Sequence, residues 1–205
     1  MFKKLVIASN NPGKIREIRQ ILAPLDIEVV PQSALDVPQA REPHDTFVEN
    51  ALSKARHAAT LTGLPALADD SGICVEALGG APGVQSARFA GDPASDERNN
   101  SKLLELLARE ANRRAYYYCV IVLMRYAADP CPLIAEGRWH GEILRAPRGS
   151  GGFGYDPLFL DPTLGTTAAE LAPARKNEVS HRARALAELL GKLRADEGAR
   201  GVQAR

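Results

Sequence analysis

Two periodicities alternate along this chain, and the order of their alternation limits its fold more than any single motif does. KKLVIAS, near the N-terminus, is a short apolar run containing Val and Ile, the pattern of a buried strand. In NNPGKIREIRQIL, Ile15, Ile18, Leu22 and Leu25 recur at helical spacing, and Asn11-Pro12 supplies a cap and a first-turn proline. DIEVVP reads as a second strand. DTFVENALSKARHAATLTG reads as a helix from its Thr46-x-x-Glu49 capping box to the Gly63 and Pro65 that stop it. PALADDSGICVEAL reads as strand, carboxylates, strand, GGAPGVQSARFAGDPAS as a long loop, and DERNNSKLLELLARE as a helix. AYYYCVIVLMRYA is the clearest strand of all, with PLIAEGRWHGEI its expected partner. RAPRGSGGFGYDPLF is a Gly-rich loop, and SHRARALAELLGKL is the last helix. Interleaved strands and helices predict an α/β fold, a mixed twisted sheet with flanking helices. The long central loops predict two lobes around a cleft. The expected organisation is one domain over residues 1–195 and a loose tail over 196–205, where apolar residues are few.

Totals narrow the function classes. The chain has 205 residues and a net charge of +1, so it carries no global electrostatic footprint for a nucleic-acid polymer. No run of 18 apolar residues occurs, and the N-terminal apolar run is too short for a signal peptide. The three cysteines, Cys74, Cys119 and Cys131, lack C-x-x-C spacing, which fits reduced thiols in the cytoplasm. Cys74 and Cys119 lie in apolar strands as core residues.

Four stretches carry candidate chemistry. In SNNPGK, a strand passes into a helix through small polar residues, and first-turn N–H groups with Lys14 suit a phosphate. The Walker A spacing is absent, and the same residues suit plain helix capping. GSGGFG matches G-x-G-x-x-G, but RAPR precedes it and Tyr155-Asp156-Pro157 follows, which opposes the helix that a dinucleotide site requires. What remains is a flexible loop whose Phe153 either stacks on a base or packs into the core. KNEVSHRAR clusters Lys176, His181 and Arg182 at a helix start, suited to carbonyl or phosphate oxygens or else to a solvated basic face. The pair Asp69-Asp70 sits between apolar stretches, where carboxylates are rare unless paired or bound to metal. With Glu42, or Glu49, the pair suits Mg²⁺, whereas D-S-G by itself is ordinary turn chemistry.

Together and in order, ASNNPGK, TFVENALSKARHAA, ALADDSG, LGGAPGVQSARFAG, GGFGYDPLF and SHRARAL resemble the Ham1-type inosine triphosphate pyrophosphatases, also called dITP/XTP pyrophosphatases. They span residues 7–187. The resemblance implies cleavage of ITP, dITP and XTP between the α and β phosphates, giving the monophosphate and pyrophosphate and clearing deaminated nucleotides from the pool. It also implies Mg²⁺, a homodimer and two lobes around an active-site cleft. The family's phosphate loop falls on Ser9, Asn10, Asn11, Pro12, Gly13 and Lys14. Its metal-binding acid falls on Glu42, its catalytic acid on Asp70, and a substrate-contacting serine on Ser71. Asn50 and Lys54 match its helix motif. Phe153, Gly154, Tyr155 and Asp156 match its base-facing loop, and Lys176, His181 and Arg182 its base-reading end. On this basis Asp70 would take a proton from water beside Mg²⁺, with Glu42 completing the acidic site and Asp69 either joining it or standing behind its ligands. Lys14 and Lys54 hold phosphates, and Phe153 stacks on the base.

The chain departs from many relatives in reading Ser9-Asn10-Asn11 for Thr-Gly-Asn, Gln85 for an aromatic, and Glu42-Pro43-His44 for Glu-Thr-Gly. Two other readings stand beside this one. A Maf-like pyrophosphatase is opposed by the SHR and FGYDP stretches, and a non-catalytic nucleotide- or RNA-binding module by the acidic pair, which repels a polyanion.

Overall fold

A computed structural model describes residues 2–25 and 27–203, with side chains as far as Asp196. The elements run β1 (Lys4–Ile7), α1 (Pro12–Leu22), β2 (Glu28–Pro31), α2 (Phe47–Thr62), β3 (Ala66–Val75) and α3 (Asp96–Leu106). They continue as β4 (Arg114–Met124), β5 (Leu133–Ile143), β6 (Phe159–Asp161), β7 (Thr166–Thr167), α4 (Pro173–Val179) and α5 (His181–Gln203). The strands form one sheet in the order β2-β1-β3-β4-β5-β6-β7. It is mixed: β1 runs parallel to β2 and β3, whereas β6 is antiparallel to β5 and β7. The expected α/β class is therefore the observed one.

The chain divides into two compact units. The first comprises Met1–Asp70, Cys119–Gly137 and Arg182–Arg205, the second Ser71–Tyr118 and Arg138–His181. In the first, Leu5 and Ile7 of β1 pack with Ile18 and Leu22 of α1, Ile121 and Leu123 of β4, and Ala185, Leu186 and Leu189 of α5. The spacing of the α1 and α5 residues keeps each helix's apolar stripe on one face, and each fully buried Leu or Ile contributes about 1.5–3 kcal/mol. In the second, Ile73 and Val75 pack with Tyr117, Trp139, Leu158 and Phe159. The Trp139 indole N–H meets its one polar need by donating to Asp161 Oδ2 at 2.7 Å.

Local chemistry accounts for the element ends. Asn11 caps α1 by accepting from the Gly13 and Lys14 N–H groups, with Pro12 as first helical residue. Thr46 caps α2, and Gly63, at φ +68°, ends it. β3 is one unbroken ten-residue strand, so the Asp-Ser-Gly stretch is not a turn. The loop expected after β3 holds a 3-10 helix, Gly83–Arg88. α5 runs to Gln203, across most of the segment expected to be loose; its Ala, Arg and Glu residues favour helix without needing burial. Ala204 and Arg205 lie outside the described residues.

Gly72 explains the glycine after the acidic pair. A Cβ there would lie 2.3 Å from the Gly83 carbonyl oxygen and 2.4 Å from Ser86 Oγ. Ser86 Oγ itself accepts from the Ile73 N–H at 2.9 Å and donates to the Gly83 carbonyl at 2.6 Å, so the 3-10 helix is fixed against the strand. Gly72→Ala is expected to destabilise the protein by about 1–3 kcal/mol through overpacking, read as a lower denaturant midpoint.

Candidate active site

Side chains of consecutive strand residues point to opposite faces, so Asp69 and Asp70 meet different partners. Both are buried within the first unit. Asp69 Oδ2 lies 3.2 Å from Lys14 Nζ, and Arg182 donates to it through Nη2 at 2.9 Å and Nε at 3.2 Å. Arg182 Nη1 donates to Glu17 Oε2. Burial alone would raise the Asp69 pKa, but Lys14, Arg182 and Lys54 outweigh it and hold the carboxyl well below the ordinary carboxylate range.

Asp70 has a different setting. Lys54 Nζ, from α2, donates to Asp70 Oδ1 at 2.7 Å and pairs with Glu42 Oε1 at 3.1 Å. Asp70 Oδ2 is buried and has no hydrogen-bond partner among the described residues. Burial raises the Asp70 pKa above the ordinary value despite Lys54 and Lys14 nearby, and Glu42 adds to the rise. Burial opposes the charge on Lys54, yet Asp70, Glu42 and Asp69 together raise its pKa. One helical turn before Lys54, buried Asn50 accepts from the His44 N–H at 3.1 Å and donates to the His44 carbonyl at 3.0 Å. That clamp fixes the segment that brings Glu42 to Lys54.

Ser9, Asn10, Asn11, Pro12 and Gly13 form the start of α1, and their local polar groups are engaged. Ser9 Oγ accepts from the Asn11 N–H, Asn10 Oδ1 accepts from Gln32, and Asn11 Oδ1 takes the Gly13 and Lys14 N–H groups. Capping thus accounts for the Asn11 hydrogen bonds, and Lys14 carries the loop's charge.

In the second unit the Gly-rich loop is organised by Asp156. Its Oδ2 accepts from the Phe153 N–H at 2.9 Å and from Lys176 Nζ at 2.6 Å, and its Oδ1 accepts from the Tyr117 hydroxyl at 3.1 Å. Lys176 Nζ sits 4.6 Å from the centre of the Phe153 ring. A Cβ on Gly152, at φ +75°, would meet Asp156 Oδ2 at 2.0 Å, so only glycine admits this turn. From α3, Asp96 accepts from the Gly154 N–H at 2.6 Å and Asn100 donates to its carbonyl at 2.9 Å. Buried Tyr155 donates to the Ser86 carbonyl at 2.8 Å. His181 stacks on Tyr117, and Ser71, in β3, is half-buried.

Glu42, Lys54, Asp70, Asp69 and Lys14 therefore share the first unit, and Phe153, Asp156, Lys176 and His181 the second. Arg182 falls in the first unit, where its guanidinium donates to Asp69 and Glu17. Glu17 and Tyr117 were missed from sequence. The one local sign for Glu17 is its place four residues after Gly13, on a helix face where both are buried.

Among the described residues no group of three or more His, Cys, Asp or Glu side chains could hold a metal by itself. The donor set at Asp70 nevertheless fits Mg²⁺, which takes one or two carboxylates and completes its shell with water and substrate phosphate. Four carboxylates, Glu17, Glu42, Asp69 and Asp70, face three cations, Lys14, Lys54 and Arg182, and Asp70 Oδ2 is available.

The model of the Ham1 family matches residues 5–192. This chain belongs to the Ham1 family. Among its Ham1 relatives is a dITP/XTP pyrophosphatase of Aromatoleum aromaticum, 65% identical over 94% of this chain and 98% of its own. Another, of Ralstonia nicotianae, is 62% identical over 96% and 100%. The Ham1 fold is also found in solved structures: a HAM1 protein of Coxiella burnetii has a TM-score of 0.88 at 50% identity, over 95% of this chain and all of that one. The Ham1 protein of Staphylococcus aureus has a TM-score of 0.84 at 40% identity with the same coverage. No helix among the described residues is long and apolar enough to cross a membrane.

Proposed function

We propose that this protein hydrolyses non-canonical purine nucleoside triphosphates, ITP, dITP and XTP, to the monophosphate and pyrophosphate. The observation that carries the reading is the Glu42–Lys54–Asp70 array, with Lys54 and Asp70 buried and Asp70 Oδ2 unpartnered, in a chain 65% identical to a dITP/XTP pyrophosphatase. Asp70, whose pKa burial raises, is suited to take a proton from the attacking water at Oδ2. Glu42 and Asp70 would hold Mg²⁺. When bound, Mg²⁺ lowers the pKa of water and neutralises phosphate charge. Lys14, partly exposed, supplies a positive charge for the phosphates. Lys54 keeps Glu42 and Asp70 in place from the enzyme side.

Base selection falls to the second unit. Phe153 offers a ring for stacking, and Lys176 and His181 present N–H donors to a six-position oxygen. Adenine carries an amino donor there, which would leave those buried groups unpaired and so disfavours ATP. Arg182 acts through Asp69 rather than on the base. The enzyme is proposed to work in the cytoplasm as a homodimer, clearing deaminated purine nucleotides before polymerases incorporate them.

The test is pyrophosphate release from ITP, XTP and ATP, with Mg²⁺ and with EDTA. ITP and XTP should be cleaved with a kcat/KM at least about 100-fold above that for ATP, and EDTA should abolish release. Equal cleavage of ATP would overturn the base reading, and full activity in EDTA would overturn the metal. Binding without cleavage of any triphosphate would instead favour a non-catalytic nucleotide-binding module.

A further inference from the structure

We propose that Tyr117 is a positioning residue for purine recognition, its ring fixing the plane of His181 while its hydroxyl holds the Asp156 carboxylate that orders Lys176 and the Phe153 backbone. This deepens the proposed function and rests on its reading of Phe153, Lys176 and His181 as the base-facing groups. Tyr117 lies on β4, which holds its ring rigidly, and it is buried among Trp139 and Phe159. Its ring and the His181 imidazole are nearly parallel, 10° apart, with centres 4.7 Å apart. Trp139 and Phe159 brace the far parts of the same ring, with centres at 6.3 Å and 4.6 Å. His181 is the first residue of α5, and its imidazole lies against this flat, braced ring, which sets its plane. The hydroxyl adds a second link: Asp156 Oδ1 accepts a hydrogen bond from the Tyr117 hydroxyl while Oδ2 accepts from the Phe153 N–H and Lys176 Nζ, which leaves the carboxylate little freedom to turn. One side chain thus reaches both groups that would define the base's edge, His181 directly and Lys176 through Asp156.

The experiment measures ITP hydrolysis by the wild type, Tyr117→Met and Tyr117→Phe, each also in a His181→Ala background. Methionine keeps apolar bulk but offers no flat face. Tyr117→Met should raise KM for ITP about fivefold with kcat changed less than about twofold, the scale of one lost aromatic pair. Tyr117→Phe, which keeps the ring and loses only the hydroxyl link to Asp156, should raise KM less than Tyr117→Met does. In the His181→Ala background, Tyr117→Met should lose the part of its effect that runs through His181 and keep only the part that runs through Asp156. Tyr117→Leu serves in the same cycle if the methionine variant does not fold. Additive effects in the two backgrounds, or an unchanged KM in Tyr117→Met, would overturn the inference while leaving ITP cleavage by the wild type intact. Absence of ITP cleavage by the wild type would overturn the proposed function, and this inference with it.

Discussion

Asp70→Asn is expected to lower the kcat for pyrophosphate release from ITP by about 10²–10⁴-fold, the range attributed to a positioned base. Asparagine preserves the shape and the oxygen that accepts from Lys54, so the ion-pair partner keeps a hydrogen bond while the proton-accepting carboxylate is lost. Steady-state kinetics at saturating Mg²⁺, with circular dichroism to confirm the fold, reads the effect. Activity within about threefold of wild type would move the base to Glu42 or Asp69, since no smaller loss fits a general base. Of these, Asp69 is already committed to Lys14 and Arg182, so Glu42 would be tested next.

The second large effect is on stability. Arg182→Ala should destabilise the protein by about 3–5 kcal/mol, because it strips two hydrogen bonds from buried Asp69 and one from buried Glu17. Thermal and urea unfolding read this directly. The pH dependence follows from the lowered Asp69 pKa. A carboxyl held below its unfolded value stabilises the fold fully above about pH 4 and loses that contribution as pH falls toward the folded value. Without Arg182 that depression shrinks, so the acid unfolding transition of the variant should move to higher pH. An unaltered transition would show that Lys14 alone satisfies Asp69. Arg182→Ala with wild-type stability but altered ITP/ATP discrimination would instead return Arg182 to the base-reading role that its place beside His181 suggests in sequence.

The contrast between Lys54 and Arg182 shows what the sequence can and cannot tell. α2 was legible because its signals are local: Thr46, Glu49 and Gly63 sit within the helix they start and stop. β4 was legible because its apolar run is long. β6 and β7, of three and two residues, are too short to show a period, and α4 is only seven residues long. Asp70 stood out as one of two carboxylates among apolar residues, and Lys54 only through the resemblance of its helix to the family's motif. Nothing local to Arg182 reveals that its guanidinium meets Asp69, 113 residues away in the chain, or Glu17. A basic residue at a helix start reads as a solvent or ligand contact until the fold supplies its partner. The same holds for Tyr117, which reads as one more apolar strand residue until Asp156 and His181 are placed beside it.

The Asn50 clamp has a consequence for how this protein can drift. Asn50 grips the N–H and C=O of residue 44, groups that every amino acid but proline supplies in full. The segment bearing Glu42 is therefore read through its peptide and not through its side chains. The side chains at positions 43 and 44 can therefore change without carrying Glu42 away from Lys54. Selection in this segment then falls on two distant points, the acid at 42 and the amide at 50, with one exclusion between them: proline at 44.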